Sequence, residues 1–109
     1  MKITTLTLNP AFDIHVSLRS FPLGKESLAD TVSRDIGGKG INISRALTAN
    51  GIENTALVVV GDENRADFIQ GMEQAGLTYQ ELPWAGRIRE NITIHPEIEP
   101  ETRLSFKGF

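Results

Sequence analysis

The chain has 109 residues, 11 Lys and Arg against 14 Asp and Glu, and a formal net charge of −3, about the size of one small domain. That balance offers no clustered basic surface, so neither nucleic acid nor an anionic membrane is expected as a partner. The absence of cysteine excludes disulfides, thiolate metal sites and a cysteine nucleophile.

The N-terminal MKITTLTLNP carries no long apolar run, and the longest one anywhere is Ala56–Val60. A spanning helix needs about 20 apolar residues, so a cytoplasmic chain is expected. Residues Ile3–Leu8 alternate apolar residues with threonine and predict a strand, which Asn9-Pro10 stops. Asp13–Leu18 places Ile14, Val16 and Leu18 on one face at period two, a half-buried strand. Phe21-Pro22-Leu23-Gly24 reads as loop, and Leu28–Ile36 as a second strand pairing with the first.

A helix is expected from about Ile41, with Ile43, Ala46, Leu47 and Asn50 on its inner face and Asn50-Gly51 as its stop. Thr55–Val60 is a continuous apolar run of the kind buried on both faces of a parallel sheet. Ala66–Ala75 is a second helix with Phe68, Ile69, Met72 and Ala75 as its buried stripe. Tyr79–Leu82 is a short strand ended by Pro83. Asn91–His95 and Arg103–Phe106 alternate and predict an antiparallel hairpin. The order predicts an α/β fold, a doubly wound parallel sheet with two β-pairs inserted at 13–36 and near 91–106. Three parallel strands are few for such a sheet, so the chain is expected to be the N-terminal part of a longer protein.

Several segments could carry chemistry. Gly37-Gly38-Lys39-Gly40 lies between a strand and a helix, where glycines admit a close ligand and free N–H groups favour an anion. It matches neither a Walker A loop nor a dinucleotide fingerprint, and a plain glycine-rich turn fits it as well. Asp13, at the carboxyl end of the first strand, suits hydroxyl recognition or simply a turn. The Asn42 amide could cap the helix or bind a polyol. Arg87, Arg89 and Asn91 are spaced at two on one strand face, suited to bidentate phosphate binding or to solvent. Lys25 is a second phosphate contact or a solvated loop residue. His15 and His95 have no neighbours at metal-ligand spacing.

Taken in order, Thr7-Leu-Asn-Pro-Ala-Phe-Asp13, Gly37-Gly-Lys-Gly-Ile-Asn-Ile-Ser-Arg45, Val60-Gly61-Asp62, Ala75-Gly76-Leu77, Arg89-Glu-Asn91-Ile-Thr and Phe106-Lys-Gly108-Phe109 resemble the ribokinase-like (PfkB-type) sugar kinases. The similarity is to the branch that includes 1-phosphofructokinase and tagatose-6-phosphate kinase. It implies a Rossmann-like core (1–12 and 37–85) with a small β-sheet lid (13–36 and 86–109), which in this branch often forms a homodimer. It implies transfer of the ATP γ-phosphate, with Mg2+, to a sugar phosphate, fructose 1-phosphate foremost. By resemblance Asp13, Gly37, Gly38, Lys39, Gly40 and Asn42 bind the sugar. Arg89 holds its phosphate, and Lys25 and Asn91 complete the site. Ile88 departs from the family, where Thr is common. The family's catalytic Gly-Ala-Gly-Asp is absent, so no catalytic residue is expected here, no ATP or Mg2+ is expected to bind, and the chain is expected to be inactive alone. The other reading is a non-enzymatic sugar-phosphate-binding or dimerisation module.

Overall fold

The computed structural model describes residues 2–109. The elements run β1 (Thr4–Thr7), β2 (Ala11–Leu18), β3 (Asp30–Gly37), α1 (Lys39–Ala49), β4 (Thr55–Gly61), α2 (Arg65–Gln74), β5 (Tyr79–Trp84), β6 (Arg89–Pro96) and β7 (Thr102–Leu104). They form two sheets. The first is parallel, in the order β1-β4-β5. The second has the order β3-β2-β6-β7.

The second sheet joins the two expected β-pairs. Beta-2 pairs with β6 in parallel from Ala11↔Arg89 to Leu18↔Pro96, joining the β2–β3 and β6–β7 antiparallel pairs into one surface. Sequence periodicity carries no information about which distant strand completes a hydrogen-bonding edge.

The core contains Phe12, Ile36, Ile41, Val58, Val60, Phe68, Met72 and Ile88. Phe12 meets Phe68 edge to face, with ring centroids 5.3 Å apart, the geometry favoured by the aromatic quadrupole. Arg34 lies over the Phe12 ring at 3.9 Å and reaches Asp67 on α2 and Glu90 on β6, so one side chain links the helix to the second sheet. Helix α2 buries Phe68 and Met72 and packs Ile69 and Ala75 against the core, as its sequence stripe predicts. Arg65 at its start forms a two-point pair with Glu81 on β5, both contacts at 2.7 Å. This hydrogen bonding holds the Glu81 carboxyl below its usual range.

Helix α1 departs from its expected face. Gly40, Ile41 and Ser44 are buried, while Ile43 is 54% exposed and Ala46 and Asn50 are exposed. The cause is close packing of small groups. A side chain at Gly40 would overlap the Thr7 hydroxyl and lie 2.7 Å from the Leu6 carbonyl oxygen, and the Ser44 and Thr5 hydroxyls share a 2.5 Å hydrogen bond. Beta-1 therefore turns Thr5 and Thr7 inward and leaves Leu6 exposed, as is Leu8 just after it. The helix also begins at Lys39, two residues before the expected start, because Asn42 N–H already donates to the Gly38 carbonyl at 2.9 Å.

Two further expectations are corrected. Beta-4 buries Ala56, Val58 and Val60 but leaves Leu57 and Val59 half-buried. Both helices contact its one side, and Leu6, Leu57, Val59 and Leu82 form an open apolar face. Beta-5 runs through Pro83 instead of ending before it. It is an edge strand, where a residue without an N–H is tolerated.

Candidate functional site

The carboxyl end of β1 turns at Asn9-Pro10 directly into β2, and Asp13 comes three residues after the turn. Its neighbours in register are Asp35 on β3 and Asn91 on β6. Side chains in one row share a face, so these three lie side by side. The same face carries Arg89, His15, Thr93, His95 and Arg103 by alternation. The opposite face carries Phe12, Ile14, Val16, Ile92 and Ile94, of which Phe12 and Ile14 pack into the core. The period-two pattern thus separates a polar face from an apolar one.

The glycine segment lies against this polar face. A side chain at Gly37 would overlap the Asp13 carboxylate. Gly38 has φ 132°, and a side chain there would lie 2.7 Å from the Thr7 methyl. Position 38 therefore requires glycine for its backbone conformation as well as for space. Gly38 precedes α1 as its N-cap without any side-chain capping bond. The Asn42 side chain is thus not a cap; it is exposed in the first turn of α1, beside exposed Lys39. The structure gathers Asp13, Gly37, Gly38, Lys39, Gly40 and Asn42 around the start of β2, the end of β3 and the N-terminus of α1.

Arg89 opens β6. Its Nη1 donates to the Phe106 carbonyl at 3.1 Å and its Nη2 to the Asn9 carbonyl at 3.4 Å, while its Nε is buried without a partner. Asn91 is 4% exposed and accepts a hydrogen bond from the Phe106 N–H at 2.9 Å. These two residues fasten the C-terminal segment onto the β1–β2 turn. Gly108 fits there because a side chain would overlap Asn9. Arg87 stands before the strand that Arg89 opens and pairs with Glu90 at 2.9 Å.

The entry to β6 is set from the first sheet. Asn64 donates to the Ile88 carbonyl at 2.9 Å and accepts from its N–H at 2.8 Å. Asp62 accepts from the Gly86 N–H at 2.9 Å, and Gly61 admits the Gly86 carbonyl so closely that a side chain would lie 2.6 Å from its oxygen. The Gly61–Asn64 loop thereby places Arg89.

Lys25 lies in the exposed β2–β3 loop and makes no hydrogen bond or ion pair with this group. The base of that loop is held by Glu99, which accepts from Ser20 Oγ and from Phe21 N–H, both at 2.6 Å. Those bonds hold its carboxyl below the usual range. The two histidines meet: His15 Nδ1 and His95 Nε2 are 2.8 Å apart, and His95 Nδ1 lies 3.3 Å from Glu101. Arg103 was not singled out by the sequence, yet its Nη2 lies 3.5 Å from Asp13 Oδ1. No spacing signal links residues 90 positions apart. Among the described residues no three metal-ligating side chains are placed to hold one metal ion, and no helix is long and apolar enough to cross a membrane.

A profile of the pfkB family of carbohydrate kinases matches residues 7–106. The chain is 31% identical over 107 residues to a 1-phosphofructokinase from Vibrio cholerae, covering 98% of this chain and 34% of that protein. It is 30% identical over 108 residues to the 1-phosphofructokinase of Escherichia coli K12, covering 99% and 35%. The chain thus spans about a third of the length of these relatives. Its fold is similar to that of E. coli phosphofructokinase-2 in complex with fructose-6-phosphate, with TM-score 0.90 at 22% identity over 98% of this chain and 36% of that one. With the profile spanning nearly all of its residues, the chain belongs to the pfkB family of carbohydrate kinases.

Proposed function

We propose that the chain forms the acceptor side of the site of an ATP-dependent sugar-phosphate kinase, with fructose 1-phosphate as the sugar. The observation that carries this reading is the Asp13 carboxylate seated over Gly37, with Arg89 and Asn91 on the same sheet face. Asp13 accepts hydrogen bonds from sugar hydroxyls, and Asn42, two residues past the glycines' close approach, donates to them. The Gly38–Gly40 backbone admits the sugar ring. Arg89 is held by two carbonyls and uses its remaining N–H groups on the phosphate. Asn91 holds the tail that borders it. Lys25 and Lys39 add mobile positive charge.

In this reading the residues 1–12 and 37–85 are the core, and the segments 13–36 and 86–109 are a lid. Chains pair through the lid sheet, where Ile14, Val16 and Ile92 are only half-buried and exposed apolar area favours association. ATP and Mg2+ supply the transferred phosphoryl group and its charge neutralisation. No step is assigned to these residues through that part of the site.

Calorimetric or NMR titration of the chain with fructose 1-phosphate tests the reading. Wild type is expected to bind, and Asp13→Ala and Arg89→Ala each to lose at least about tenfold in affinity, since charge-assisted contacts are worth several kcal/mol in a desolvated site. Absence of binding, or unchanged binding in both variants, overturns it.

A further inference from the structure

We infer that Arg103 is a specificity residue: it neutralises Asp13 in the empty site and transfers to the substrate's phosphate on binding, so that a phosphorylated sugar is accepted in preference to a neutral one. This inference rests on the acceptor-side reading of Asp13 given above.

The charge arrangement supports it. Asp13 and Asp35 stand opposite each other in the antiparallel β2–β3 pair, where like charges are unfavourable. Asp35 has no ion-pair partner among the described residues. Arg103 sits on β7 opposite Thr93 on β6, and β6 lies between β7 and β2. Strands are spaced about 4.8 Å apart. The Arg103 side chain therefore reaches across β6 to bring Nη2 to 3.5 Å from Asp13 Oδ1. Extending a flexible side chain that far costs rotamer entropy, and a single loose contact at 57% side-chain exposure is a weak return on it. Such a contact is easily exchanged.

Arg89 differs in kind. Both of its terminal nitrogens are committed to backbone carbonyls, so it is a fixed anchor. Arg103 makes no hydrogen bond and no other ion pair among the described residues and keeps its guanidinium fork available. A neutral sugar that displaces Arg103 from Asp13 leaves the guanidinium without a counter-ion. A phosphate dianion gives it a better one, matched to the fork by two parallel N–H bonds. The same movement frees both Asp13 oxygens for hydroxyls.

The test is NMR titration of the full chain with fructose 1-phosphate and with unphosphorylated fructose, in wild type, Arg103→Gln and Arg103→Lys. Arg103→Gln should weaken fructose 1-phosphate by about tenfold or more and leave fructose unchanged or tighter. Arg103→Lys keeps the charge without the fork and should lie between them. If the preference for the phosphorylated sugar is the same in Arg103→Gln as in wild type, or if both ligands weaken equally with thermal unfolding unaltered, the inference is wrong while the acceptor-side reading stands. If wild type binds neither sugar, the acceptor-side reading itself fails and this inference falls with it. Should Arg103→Gln not fold, Arg103→Lys decides, by a shift in preference or by none.

Discussion

Gly37 lies directly beneath Asp13: any side chain at position 37 would occupy the space of the Asp13 carboxylate. The glycine and the acid belong to adjacent strands, two rows apart in register and so on one face, with Ala11 opposite Gly37 and Asp13 opposite Asp35. The glycine is required by the neighbour's position and not by its own backbone angles. Gly37→Ala should therefore move the acid. Overpacking of this kind costs about 1–3 kcal/mol, and fructose 1-phosphate affinity should fall more steeply than stability does. Titration and thermal unfolding of the same variant separate the two effects. Wild-type affinity in Gly37→Ala would remove Asp13 from the site.

Asn64 closes both hydrogen bonds of the Ile88 peptide unit and so fixes where β6 begins. Asn64→Leu leaves the Ile88 N–H and carbonyl without these partners, a loss of about 1–3 kcal/mol readable by urea denaturation. Asn64→Asp retains an acceptor for the Ile88 N–H and should cost less. Equal losses in the two variants would show that the donor to the carbonyl dominates.

Phe68 is fully buried at the meeting of α2 with both sheets. Phe68→Ala should destabilise the chain by about 3–5 kcal/mol. Ile43→Ala on the exposed face of α1 should stay within about 0.5 kcal/mol. An Ile43→Ala loss comparable to that of Phe68→Ala would mean that the face predicted from the α1 sequence is the packed one after all.

Glu99 supplies an acid-side pH dependence. Its folded carboxyl titrates below its ordinary value because Ser20 Oγ–H and Phe21 N–H donate to the charged form. A depressed carboxyl contributes its stabilisation fully above the ordinary value of 4.5 and loses it as pH falls through the lower folded value. The stability difference between wild type and Glu99→Gln should thus be largest near neutrality and shrink below about pH 4.5. Thermal unfolding across that range checks the sign. A difference that grows on acidification contradicts it.

Much was determined by the sequence alone. The strand and helix types follow from periods of two and 3.6, which are local properties of the backbone. The α2 stripe was readable because Phe68, Ile69, Met72 and Ala75 are large or apolar at helical spacing. The glycine segment and Asp13 were readable as candidates because glycine and an acid at a strand end are unusual choices locally. Tertiary structure decided the rest. The buried face of α1 is made of Gly40, Ile41 and Ser44 because β1 approaches it closely, and apolarity cannot report a contact that small residues create. Pro83 is tolerated because β5 is an edge. The parallel pairing of β2 with β6 brings together residues 78 positions apart in the chain, and hydrogen-bond partnership across that distance leaves no trace in either segment's composition. That same pairing lets Arg103 reach Asp13 and His15 meet His95. Charges and imidazoles in separate strands become neighbours only when the sheet order is fixed.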